Sequence, residues 1–154
     1  MPKIDVDSVF KRKGSTYPPP FNEMAKERIK QGLGDAGGLT DFGVNLTHLP
    51  PGAWSSQRHW HSAEDEFVFI LSGEVVLVTD AGEEILRSGD CAAFPKNTPN
   101  GHNLINKSAA PATYLEIGTR KPMEDVCHYP DIDMHLDRKQ GGFTRKDGTP
   151  YQRP

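Results

Sequence analysis

Only two cysteines occur in the 154 residues, Cys91 and Cys127, and their separation matches neither a metal knuckle nor a redox pair. That excludes a disulfide-built scaffold and leads us to expect two ordinary thiols in a reducing compartment. Long apolar runs are missing too. No stretch of about 18 residues is apolar enough to cross a bilayer as a helix, and no leader pattern opens the chain. Charge of one sign is not in excess, because the formal net charge is -3. Neither nucleic acid nor an anionic membrane is therefore an expected partner. A cytoplasmic protein is the expectation.

Turn-forming residues are plentiful, with Gly 15 and Pro 13. They point to many short connections rather than long helices. Residues 1–20 end in Tyr17-Pro18-Pro19-Pro20, which reads as an extended arm because prolines cannot continue a helix or a central strand. Lys11, Arg12 and Lys13 read as a solvated patch. Residues 22–33 predict a short helix with Asn22 as its N-cap and a ragged apolar face of Met24, Ile29 and Leu33. After Gly37-Gly38 the rhythm changes. Residues 39–49 alternate Phe42, Val44, Leu46 and His48 on one face. Strand-like runs follow at 54–60, 66–71, 74–79, 83–87, 91–94, 101–106 and 112–118, separated by turn signals such as Asp80-Ala81-Gly82. Many short strands at this spacing predict an all-β sandwich or barrel. Beyond Arg120 the sequence is polar and broken by proline, as expected of a tail wrapping the domain or a partner subunit. The organisation expected is arm and short helix in 1–38, barrel in 39–120 and tail in 121–154.

The chemistry concentrates in His59-Trp60-His61-Ser62-Ala63-Glu64-Asp65-Glu66. On a strand, residues two apart share a face with alpha carbons about 6–7 Å apart, so two imidazoles can meet one ion. Of the three acidic residues, Glu66 is the preferred ligand. If 66–71 returns beside 54–60, Glu66 lies level with the histidines, and Glu64 and Asp65 fall in the bend. A turn, a strand and a proline-rich connection after Gly89 bring His102 toward the same cavity. Three imidazoles and a carboxylate suit one divalent ion, whether Fe, Zn, Mn or Ni, and leave positions open for water or substrate. His48, His128 and His135 read as surface or hydrogen-bonded histidines, and Asn106 as a structural hydrogen-bonder. Of Tyr114 and Glu116, at most one is expected to reach the cavity.

These two segments resemble the paired signatures of the cupin superfamily. Gly52, His59-x-His61, four residues, Glu66, six residues and Gly73 follow the first motif, with one extra residue before His59. Gly89, five residues and Pro95, then His102, three residues and Asn106, follow the second. Asn97 stands where that motif has glycine, and the connection to His102 is longer. The resemblance covers roughly residues 40–118. It implies a small jelly-roll barrel with a central metal, often as a dimer. Compact single-domain bacterial members, many provisionally labelled sugar-phosphate isomerases, are similar along the whole chain.

The expected function is that of a metal-dependent enzyme on a small polar metabolite, of the sugar-phosphate isomerase, epimerase or lyase type. In that reading Glu66 or Tyr114 moves a proton. An Fe(II)-dependent dioxygenase and a binding or sensor module without turnover stay open beside it. The small-molecule ligand and a homodimer, formed through the apolar outer face of 66–71 or through the arms, complete the expected partners.

Overall fold

The computed structural model describes residues 2–152. Its strands are β1 (Lys11–Lys13), β2 (Ile29–Gly32), β3 (Phe42–Leu49), β4 (Trp60–His61), β5 (Glu66–Ser72), β6 (Glu74–Thr79) and β7 (Gly82–Arg87). They continue with β8 (Cys91–Phe94), β9 (Asn103–Ile105), β10 (Ala112–Thr119), β11 (Val126–Tyr129), β12 (Met134–Asp137) and β13 (Gly142–Thr144). One sheet runs β1-β2-β3-β10-β5-β8, a second β7-β6-β9 and a third β13-β12-β11-β4, all antiparallel. The second and third are joined by the bridge between His59 and His102, whose backbones exchange hydrogen bonds of 3.1 and 2.9 Å. The result is the barrel expected from the strand rhythm, of the jelly-roll type that the resemblance implies. Among the described residues no helix is long and apolar enough to cross a membrane.

Alternation along each strand sorts its side chains. On β5, Val68 and Ile70 are buried while Phe69 and Leu71 remain 37% and 42% exposed. Glu66 has the inward parity of Val68 and Ile70. The barrel core is built from Leu49, Val68, Ile70, Val75, Leu77, Leu86, Leu104 and Tyr114, with Phe94 packed against them. A second apolar cluster lies where the arm meets the tail: Tyr17 from the arm packs with Cys127, Tyr129 and Met134. The site described below lies between the two clusters.

Two motif positions explain themselves by backbone geometry. Gly73 has φ 76°, and a Cβ there would stand 2.5 Å from the Pro111 carbonyl oxygen, so a side chain is excluded on both counts. Asn97 is the one non-glycine described with a positive φ, at 55°. Asparagine tolerates this left-handed conformation best after glycine, so the substitution keeps the loop's shape. The Asn97 N–H donates to the His61 carbonyl at 2.7 Å, which pins that loop against β4.

Three expectations are corrected. Residues 22–33 do not form one helix: a single turn at Glu23–Ala25 is followed by β2, and one helical turn follows at Leu33–Ala36. Pairing of Ile29–Gly32 with β3 outweighs a weak helical pattern. The tail is not irregular: it forms the strands β11, β12 and β13, and β11 pairs with β4. Finally, β5 does not return beside residues 54–60. It pairs with β10 and β8, while β4 pairs with β11 of the tail.

Candidate metal centre

Three strands and the residues just before them deliver the candidate donors. His59 precedes β4 and His61 ends it, Glu66 opens β5, and His102 precedes β9. Period-two alternation turns His59 and His61 to one face and Trp60 to the other, where Trp60 stacks on His128 with ring centroids 4.2 Å apart. The His59–His102 bridge brings the third imidazole alongside the first, with centroids 4.8 Å apart. All three rings converge on Glu66. His102 Nε2 lies 2.5 Å from Glu66 Oε2, His61 Nε2 lies 2.8 Å from Oε1, and His59 Nε2 lies 3.7 Å from Oε1.

The outer nitrogens of two rings are already committed. His59 Nδ1 donates to the Gln57 carbonyl at 2.7 Å, and His61 Nδ1 lies 2.6 Å from Asp125 Oδ2. Each contact holds its ring with Nε2 facing inward, so the nitrogen is already aimed when an ion replaces the proton it shares with Glu66, the usual device for orienting metal-binding histidines. The other Asp125 oxygen accepts from the Ala63 N–H at 2.8 Å, so this buried carboxylate also holds the bend after His61. His102 is oriented differently. Its ring lies flat on Phe94, 3.6 Å between centroids and 3° between planes, and its buried Nδ1 has no hydrogen-bond partner.

Electrostatics reflect the crowding. Burial opposes charge on Glu66, yet the hydrogen bonds from His102, His59 and His61 outweigh it and hold the carboxyl well below the ordinary range. Burial likewise opposes a proton on His61, but Asp125 and Glu66 together push its pKa up to about 10. Burial keeps His102 below its usual value. The pocket is thus organised around positive charge placed between two carboxylates. The donor set fits a divalent cation on these grounds: three inward imidazole nitrogens, one ionised carboxylate, and hydrogen bonds that fix two of the rings.

The donors line a cavity of about 190 Å³. It is lined as well by the Lys30–Glu116 pair, at 3.0 Å, and by Tyr114, all from the same six-stranded sheet as Glu66; the Tyr114 hydroxyl is fully buried without a partner. Tyr114 and Glu116 both reach the cavity, which corrects the expectation that at most one would: residues two apart on β10 share a face. Glu64 sits at the mouth and accepts from the Lys121 N–H at 2.6 Å, and Asp65 is exposed. His48 bonds Gln31 at 3.0 Å, and His128 and His135 pack edge to face, all outside the donor set. Asn106 is fully buried and satisfied, its amide donating to the Leu49 and Ala110 carbonyls at 2.7 and 2.8 Å.

Sequence reasoning did not single out Asp125, Cys127, Tyr129 or Lys30. The signal for Cys127 and Tyr129 is faint: a four-residue run, Val126-Cys127-His128-Tyr129, that places them on one face.

Comparison with known proteins agrees with this fold. The cupin domain family model matches residues 45–118. A solved structure described as a sugar phosphate isomerase from a cupin superfamily, from Silicibacter pomeroyi DSS-3, is 50% identical over 98% of this chain and 97% of its own, with a TM-score of 0.90. A protein from Acidithiobacillus ferrooxidans with a provisional sugar phosphate isomerase name is 28% identical over 83% of this chain and 82% of its own, with a TM-score of 0.72. A cupin protein from Bacteroides fragilis is 28% identical over 60% of this chain and 75% of its own, with a TM-score of 0.52. No functionally curated protein matches the chain.

Proposed function

The chain belongs to the cupin superfamily, and from that premise we propose that it is a metal-dependent enzyme acting on a small polar metabolite, of the sugar-phosphate isomerase or epimerase type. The convergence of His59, His61 and His102 on Glu66 inside the cavity carries this reading. These four residues would hold one divalent ion. When bound, the ion supplies Lewis acidity to a carbonyl or a pair of neighbouring hydroxyls. The names of the Silicibacter and Acidithiobacillus relatives support the substrate class.

The remaining work falls to other side chains that line the cavity. Glu66 is engaged by three imidazoles, so it serves as ligand rather than base. Glu116 is placed to take a proton from a substrate carbon or hydroxyl, with the Lys30 ammonium 3.0 Å away to hold its charge. Burial pulls Lys30 below its ordinary range while Glu116 opposes the shift, and the ion pair holds the Glu116 carboxylate in place. Burial keeps Tyr114 protonated, and its unpaired hydroxyl donates a hydrogen bond to a substrate oxygen. The cavity volume limits the substrate to a small metabolite.

We also propose that two copies pair through the outer face of the six-stranded sheet. Its apolar side chains Phe67, Phe69, Leu71 and Leu115 remain half-buried or exposed.

The test uses protein purified without chelator, with elemental analysis followed by incubation with aldose and ketose phosphates in deuterated water. Bound metal at about one ion per chain and enzyme-dependent deuterium incorporation beside the carbonyl are expected. Metal-loaded protein that binds these sugars but exchanges no proton would instead indicate a binding module.

A further inference from the structure

Cys127 is a second-cluster residue by packing, yet its sulfur faces the donor set. In the pairing of β11 with β4 it stands directly opposite His61, so the two side chains lie on the same face of that sheet. One ligand atom each from His59, His61 and Cys127 lies within 4.8 Å of the others, a second triad sharing two of the histidines that also meet Glu66. Cys127 is 3% exposed and lines the cavity. The other cysteine, Cys91, is exposed on the edge strand β8, away from the site.

We propose that Cys127 is a further ligand of this centre, one that draws thiophilic divalent ions onto a His59–His61–Cys127 face. The inference rests on the metal-binding reading above and refines which ions that site takes. Tetrahedral coordination with metal–sulfur bonds of about 2.3 Å and metal–nitrogen bonds of about 2.0–2.1 Å sets neighbouring donor atoms about 3.5 Å apart. The triad spans at most 4.8 Å, so a closing movement of about 1 Å, within reach of side-chain rotation, is enough. As the sulfur–metal bond forms, the thiol proton leaves to solvent and the thiolate becomes the ligand. Soft thiolate favours zinc or cobalt over manganese, whose preference is for oxygen donors. Glu66 and Cys127 therefore offer a hard and a soft ligand to the same pair of imidazoles.

Cobalt(II) is the probe. It is added to chelator-treated full-length protein, and bound cobalt is quantified alongside the absorption spectrum. The decisive variant is Cys91→Ser, which changes an exposed side chain and leaves Cys127 as the one thiol in the chain. We expect a near-ultraviolet sulfur-to-cobalt charge-transfer band in wild type and in Cys91→Ser. In Cys127→Ser and Cys127→Ala that band disappears, visible cobalt bands persist, and cobalt binds about tenfold or more weakly, while manganese affinity is unchanged. Cobalt bound to Cys91→Ser without the charge-transfer band overturns the assignment of Cys127 and leaves the proposed function standing. Persistence of the band in the Cys127 variants overturns it as well. Failure of wild type to bind cobalt or any other divalent ion would overturn both.

Discussion

Asp125→Asn isolates the contribution of one carboxylate oxygen to the proposed metal centre. The substitution preserves shape and removes a single negative charge from a side chain that is 3% exposed. Wild-type Asp125 has two tasks: Oδ1 accepts from the Ala63 N–H at 2.8 Å and Oδ2 accepts from His61 Nδ1 at 2.6 Å. An asparagine has only one oxygen. If that oxygen stays with Ala63, the amide nitrogen faces His61 and donates to Nδ1, which moves the ring proton to Nε2 and blocks the nitrogen that points at Glu66. If the amide flips, Ala63 loses its acceptor. A hydrogen bond to a charged group contributes about 1.5–3 kcal/mol net, which corresponds to roughly tenfold to a hundredfold in affinity. That agrees with the range measured when such outer partners of metal-binding histidines are removed, about 10–100-fold. The assay is competition between the protein and a chelator of known affinity, read by calorimetry, with circular dichroism confirming that the variant is folded. His128→Ala is the control, because His128 lies in the same sheet but stacks on Trp60 outside the donor set. An Asp125→Asn protein that is folded and binds metal as tightly as wild type would refute the argument that this carboxylate orients His61.

His61→Ala and His102→Ala should each lower metal content well below one ion per chain by elemental analysis, and full retention in both would rule out the ligand set. Gly73→Ala should destabilise the protein by at least about 2 kcal/mol, because it combines a left-handed φ with a carbonyl contact that cannot relax. Thermal unfolding should show this as a drop of about 4–8 °C, and an unchanged midpoint would mean the β5–β6 turn had rearranged. Phe69→Lys places a charge in the centre of the proposed pairing face, so light scattering after gel filtration should find a dimer in wild type and monomer in the variant. Identical masses for the two proteins would exclude that face.

Much of the barrel and of the donor set was legible because strands write their geometry in period two. The spacing of His59 and His61 dictates a shared face, and turn residues mark each strand end from Gly73 to Pro95. The preference for Glu66 over Glu64 and Asp65 rests on a neighbour strand that the structure does not have. In the structure β5 lies between β10 and β8, and it is inward parity that turns Glu66 to the histidines. Pairing partners in a jelly roll are distant in sequence, so no local pattern announces them. The arm and tail were less legible for a related reason. Strands of three or four residues, such as Ile29–Gly32 and Val126–Tyr129, carry too few alternations to display a period, and they are held by what they pair with. Asp125, Cys127 and Lys30 sit in or beside those strands, so the supports of the site were hidden while its primary donors were in view. The Tyr114–Glu116 expectation failed for a simpler reason, since their even separation places both on the cavity side.

The pairing of β4 with the tail has a consequence for synthesis on the ribosome. His59, His61, Glu66 and His102 are all translated before Asp125 and Cys127, so a nascent barrel carries its four donors before the residues that orient and supplement them. Until Val126–Tyr129 has emerged and docked on Trp60–His61, His61 lacks its Asp125 partner and is free to rotate. Metal acquired at that stage would be held by an unselective pocket. On the proposed roles of Asp125 and Cys127, ion choice would follow the docking of β11 on β4.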